Sequence, residues 1–279
     1  STPAGPSMEV SRIRCDIGDV HCDLGNFAEA LGCFSQALEA LEKAHMEDHP
    51  DAARVILAVG ALNLRRCNYP QARDCYKRAL TIQETAIGKF HPTTATTKSN
   101  LGLALTNLGE WRPAEKLHKE ALEVQEKILG EHSLDVATTL SHLGQTYEFS
   151  GNLDEAFLTH SRALKIREKI LGFEHPDTAN TWARLGGIQR RRGNSRKAME
   201  HLHVAHTVSQ SLLGAQHPAT AIYAHNLAGA LQRLQEDEMA LTHYTEAAQV
   251  LQASEQHYGA SHPVLAYARQ SLTRCRSMA

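Results

Sequence analysis

The sequence repeats itself every 42 residues, and that period constrains the fold more than any other property of the chain. Gly18, Gly60, Gly102, Gly144, Gly186 and Ala228 mark one slot of the period. Twelve residues later come Ala30, Ala72, Ala114, Ala156, Ala198 and Ala240. Seven further on stand Ala37, Ala79, Ala121, Ala163, Ala205 and Ala247. Just before the Gly slot sit Ile17, Val59, Leu101, Leu143, Leu185 and Leu227. Two alanine slots seven apart are two helical turns apart and share one face. Small residues there let one helix approach another closely. A glycine inside a helix costs about 1 kcal/mol against alanine, so packing must offset it.

The breaks between helices are equally regular. Gly25, Gly109, Gly151 and Gly193 suit tight turns, each followed shortly by an apolar anchor such as Phe27, Trp111 or Leu153; Tyr69 anchors the second unit, where Cys67 replaces the glycine. Gly88, Gly130, Gly172 and Gly214 follow Ile or Leu and suit helix C-caps. His-Pro then opens the next unit at His49-Pro50, His91-Pro92, His175-Pro176 and His217-Pro218. Proline fits the first helical turn, where its missing N–H is no loss. One instance has slipped to His132-Ser133, and the last, His262-Pro263, is shifted by three. After it, Val264 to Arg276 reads as a lone helix able to cap a stack.

This pattern resembles the tetratricopeptide repeat, and more narrowly the 42-residue version found in kinesin light chains. The third unit carries His91-Pro92, Asn100-Leu101-Gly102, Ala114-Glu115, Ala121-Leu122 and Leu129-Gly130. The fourth carries Arg162-Ala163-Leu164-Lys165-Ile166-Arg167-Glu168 and Leu171-Gly172. Units one, two and five depart most, with His206 where the pattern has Leu. The resemblance implies an all-α, right-handed superhelical solenoid of six helix-turn-helix repeats plus a C-terminal capping helix. The expected boundaries are a flexible leader at 1–7, repeats at 8–48, 49–90, 91–131, 132–174, 175–216 and 217–261, and the capping helix at 262–279. It also implies a protein-interaction module, an adaptor or scaffold rather than an enzyme, whose first helices line a concave groove.

With the Gly slot at 0° and about 100° per residue, offsets −6, −3, −2, +1, +4 and +5 fall between about 40° and 160°, opposite the apolar slot. Those offsets are expected to meet a ligand. Unit one presents Arg12, Cys15, Asp16, Asp19, Cys22 and Asp23, an acidic end. Unit five presents Asn180, Ala183, Arg184, Gly187, Arg190 and Arg191, a basic end. Between them the face is neutral and partly apolar. The expected ligand is a short, partly acidic, extended peptide. Asn100 and Asn226, in the same slot of different units, would hold its main chain, because an amide both donates and accepts. Arg184, Arg190, Arg191 and Arg233 would take its carboxylates. Leu103 and Phe149 would seat a side chain, with Asn107, His142 and Gln145 beside them.

Other chemistries find little support. Net charge is −2, and the run Arg190–Arg192 lacks interleaved aromatics, which argues against nucleic acid. No stretch approaches a membrane span. Six cysteines without a CxxC pair read as reduced thiols of a cytoplasmic protein, with Cys15 and Cys22 outward as a redox handle unless a preceding segment covers them. His201, His203 and His206 point to three different faces of one helix, so no metal or other cofactor is expected. No HExxH, GxSxG or phosphate-loop pattern occurs. The alternatives to peptide binding are a structural scaffold that self-associates through its end repeats, giving a homo-oligomer, and the sensor domain of a larger signalling protein.

Overall fold

The computed structural model describes residues 4–253 and residue 273, and there the chain is helix after helix: twelve helices and no strand among the described residues. They pair as α1 (Ala4–Asp23) with α2 (Phe27–Lys43), α3 (Pro50–Arg65) with α4 (Tyr69–Ala86), and α5 (Pro92–Asn107) with α6 (Trp111–Leu129). Then follow α7 (Leu134–Ser150), α8 (Leu153–Leu171), α9 (Pro176–Arg191), α10 (Ser195–Leu213), α11 (Pro218–Arg233) and α12 (Asp237–Ala253). The expected capping helix lies outside the described residues. Helix α1 begins at Ala4, inside the stretch 1–7 expected to be a flexible leader. Pro6 does not prevent this, because first-turn N–H groups have no intrahelical partner to lose.

The chain forms two compact units, Ser1–Phe149 and Ser150–Ala279. In the first, each helix packs on the next from α1 to α6, and α1 also touches α3. In the second, α8 packs on α9, α9 on α10, α10 on α11 and α11 on α12, with α9 touching α11. This is the consecutive helix-pair packing of a repeat solenoid.

The periodic slots explain that packing. All twelve slot alanines are fully buried, at 0 % exposure. The Gly slot is a notch that receives a side chain from the second helix of the same pair. A Cβ on Gly60 would lie 2.8 Å from the Tyr76 ring, one on Gly102 2.7 Å from the His118 ring, and one on Gly186 2.6 Å from Leu202. Phe34 fills the notch at Gly18 in the same way. The apolar slot before it is buried at Leu101, Leu143, Leu185 and Leu227, but Ile17 is exposed.

The turns and caps hold their register through backbone conformation. Gly25, Gly109, Gly151 and Gly193 all have φ between 77° and 86°, which a side chain opposes. Two units lack glycine there and still adopt the left-handed turn, with Cys67 at φ 58° and Gln235 at φ 63°. The His-Pro motif proves to be a two-part N-cap. Proline occupies N1, and the preceding histidine's Nδ1 accepts the N–H two residues on, at 3.2 Å for His49, 3.2 Å for His91, 3.1 Å for His175 and 3.1 Å for His217. In the slipped instance Ser133 does the same work, its Oγ accepting from the Val136 N–H at 3.3 Å.

Candidate functional site

The expected ligand face is narrower than the helical wheel suggested. None of the residues at offsets −3 and +4 is exposed: Cys15, Cys22, Ser99, Thr106, Glu148 and His225 are buried, and the others, Arg190 among them, are half-buried. In each unit neighbouring first helices touch, α1 with α3 and α9 with α11, and these offsets face that contact. Thr106 Oγ1 meets Thr146 Oγ1 at 2.7 Å, and Ser99 Oγ meets His142 Nδ1 at 2.9 Å, both between α5 and α7. The accessible stripe is therefore offsets −6, −2, +1 and +5.

Burial also corrects the reading of the two outward cysteines. Cys15 is 1 % exposed and Cys22 is buried, so neither is presented to solvent. Burial, with the nearby Asp19 carboxylate adding to it, pushes the Cys15 thiol up to about 11. Such a thiol is poorly ionised and unreactive. The described cysteines are all free.

The acidic end of the face is matched rather than bare. Arg12 on α1 makes a forked pair with Asp51 of α3, at 3.2 Å and 3.1 Å. Asp16 pairs with Arg54, and Asp23 lies 3.6 Å from Arg65. Three pairs thus rung α1 to α3: two set acids of the first repeat against arginines of the second, and the Arg12–Asp51 pair runs the other way. Each pair has at least one well-exposed partner, so each contributes about 1 kcal/mol or less.

In the first unit, α5 and α7 carry the remaining expected site residues. Asn100 and Leu103 are half-buried on the stripe. Asn107 turns back on its own helix, its Nδ2 donating to the Leu103 carbonyl at 2.8 Å. His142 is engaged by Ser99, Gln145 is half-buried, and Phe149 is exposed.

In the second unit, α9 and α11 carry the rest. Arg184 is half-buried beside Tyr223, whose hydroxyl burial pushes up to about 12 while the Arg184 charge opposes that rise. Arg190 lies across α11: a Cβ on Gly229 would be 3.1 Å from its Nη1. Its guanidinium is wedged into packing, whereas Arg191 is exposed. Arg233 is exposed and donates from Nη1 to the Arg190 carbonyl at 2.9 Å. Arg192, at the end of the basic run, pairs with Asp154 and lies 5.0 Å over the Phe157 ring. Asn226 is half-buried on the stripe. Among the described residues, neither the Asn100 nor the Asn226 amide has a hydrogen-bond partner.

Helix pairs stacked through small-residue slots, each showing one narrow polar stripe, define a class of interaction scaffolds. The profile of the tetratricopeptide repeat matches residues 9–85, 93–169 and 177–253, and the chain belongs to that family. Several solved structures resemble it at the level of fold. A kinesin light chain-like protein of Podosopora anserina with nearly identical TPR-like repeats is 21% identical, with a TM-score of 0.60 over 75% of this chain and 98% of that one. BtubC (BKLC) of P. vanneervenii is 17% identical, with a TM-score of 0.68 over 85% of this chain and 94% of that one. A Rap protein complexed with competence and sporulation factor is 15% identical, with a TM-score of 0.67 over 96% of this chain and 74% of that one. No curated protein sequence matches the chain. No helix among the described residues is long and apolar enough to cross a membrane.

Proposed function

We propose that the first-helix stripes bind short, extended, partly acidic peptides, and that the protein serves as an adaptor or scaffold. The carrying observation is the matched pair of asparagines. Asn100 and Asn226 stand in the same slot three repeats apart, half-buried and without a partner among the described residues. A half-buried amide forgoes part of its hydration, which a ligand main chain can replace. In the first unit Leu103, one turn on from Asn100, and Phe149 of the next repeat supply apolar area on the stripe. In the second, Arg184, Arg191 and Arg233 supply positive charge for carboxylates around Asn226, and Arg190 supports them from the packing side. A fold relative holding competence and sporulation factor agrees with such use of the fold.

The test is fluorescence anisotropy of labelled acidic peptides selected on an array. Asn100→Ala with Asn226→Ala should weaken binding by tenfold or more. Arg184→Glu with Arg191→Glu should weaken it further and flatten its salt dependence. Affinity unchanged by either pair and insensitive to salt would refute this assignment.

One observation favours self-association as a second reading. On α1 the residues Val10, Ile13, Ile17 and Val20 are 44–58 % exposed at spacings of three and four, and Leu24, just past the helix end, continues the series at 69 %. That is a two-heptad apolar seam. Glu9 and Asp16 flank it on one side, Arg14 and His21 on the other. Two parallel copies would set acid against base, whereas antiparallel copies would set like against like. Light scattering of Ile13→Lys with Ile17→Lys against the parent chain tests it: a parent of monomer mass removes this reading.

A further inference from the structure

We propose that His206, His243 and Glu246 form a site for a divalent d-block cation such as zinc, cobalt or nickel, joining the second helix of the fifth repeat to that of the sixth. His206 lies on α10, and His243 and Glu246 lie one turn apart on α12. One donor atom from each lies within 4.8 Å of the other two. His243 Nδ1 is already 3.3 Å from Glu246 Oε2. Donors around a four-coordinate zinc at about 2.0–2.1 Å sit roughly 3.3 Å apart, so only the His206 ring must close in. The two rings meet edge to face with centroids 5.2 Å apart, within reach of that movement.

The repeat supplies an internal control for these residues. Where the fifth repeat has His206, the first four have Leu38, Leu80, Leu122 and Leu164. No earlier junction can therefore offer three donors. The substitution puts a polar ring at 8 % exposure where leucine packs freely, a cost that needs a compensating partner. Two imidazoles and one carboxylate suit a borderline cation rather than calcium or magnesium. His206 and Glu246 also border an open hollow of about 160 Å³, shared with Gln210, Gln216 and Thr220, where water can complete the coordination.

The experiment uses the full chain, with any purification tag removed and after chelator treatment. Zinc is titrated by calorimetry and cobalt by its visible absorption. The parent should bind one equivalent at micromolar concentration, and zinc should raise its Tm by several degrees. His206→Leu restores the residue of the other repeats, so it should keep the fold while binding falls by thirtyfold or more. Glu246→Gln, at an exposed carboxylate, should weaken binding about tenfold and decides the matter should the leucine variant misfold. Absence of saturable one-equivalent binding overturns the proposal, as does binding that neither substitution reduces.

Discussion

Two adjacent glycines on α9 should respond oppositely to the same substitution. At Gly186 a new Cβ would lie 2.6 Å from Leu202 Cγ, 3.0 Å from its Cδ2 and 3.2 Å from the Ala198 carbonyl oxygen. Ordinary contact begins near 3.4 Å, so Leu202 must retreat by close to 1 Å in a fully buried position. Overpacking of that kind costs about 1–3 kcal/mol, against a gain of about 1 kcal/mol for replacing glycine in a helix. The sixth repeat carries Ala228 in this slot with Tyr244 opposite, so the layer can adjust and the lower half of that range applies. Gly186→Ala should therefore be neutral to destabilising by about 1 kcal/mol. At Gly187 a Cβ meets nothing within 4 Å, and the second repeat already holds Ala61 in the same slot. Gly187→Ala should stabilise by about 1 kcal/mol. Urea unfolding followed by circular dichroism, with thermal melts beside it, should separate the two variants by roughly 5 °C in Tm. Equal shifts of the same sign would refute the idea that the glycine period records close helix approach.

Gln235→Gly should raise stability by roughly 0.5–1 kcal/mol in the same assay, because it relieves a side chain held at φ 63° at an exposed turn. Acid should weaken the first unit through His118. Burial, with His142 adding to it, lowers that imidazole to about 3, so below about pH 6.5 the unfolded chain takes up a proton that the folded chain refuses. Stability is thus complete above about pH 6.5 and is lost as pH falls toward 3, by up to about 1.4 kcal/mol per pH unit. His118→Leu, which copies Leu202 of the fifth repeat, should flatten that slope in melts from pH 7 to 4.5.

The fold was legible because each periodic slot has one mechanical role. Alanines at 0 % exposure, glycine notches and left-handed turns all follow from spacing alone. The face was only half legible. A wheel drawn for one helix finds the side packed on its own partner, but not the edge covered by the next first helix. That is why Cys15 and Ser99 turned out buried and why Arg190 is wedged over Gly229. Charges read along the sequence also miss pairs formed across repeats, as Asp16 with Arg54 shows. His206 stood out in the sequence, but its neighbours did not, for the same reason. The groups nearest its ring come from α12 rather than from His201 and His203 on its own helix, and its departure from leucine in the aligned slot does not by itself point to them.

The twelve buried alanines have a consequence for how such a chain can change its length. Because the same two buried alanine slots recur every 42 residues, a gain or loss of 42 residues returns each side chain to an equivalent slot. One residue added or removed inside a helix turns the rest of that helix by about 100° and drives a solvent-facing residue into a slot with no room for it, whereas a loop absorbs the change, as the three-residue shift of His262-Pro263 shows. The packing therefore acts as a reading frame for insertion and deletion. It leaves repeat number and loop length free to drift while holding the register of each helix fixed.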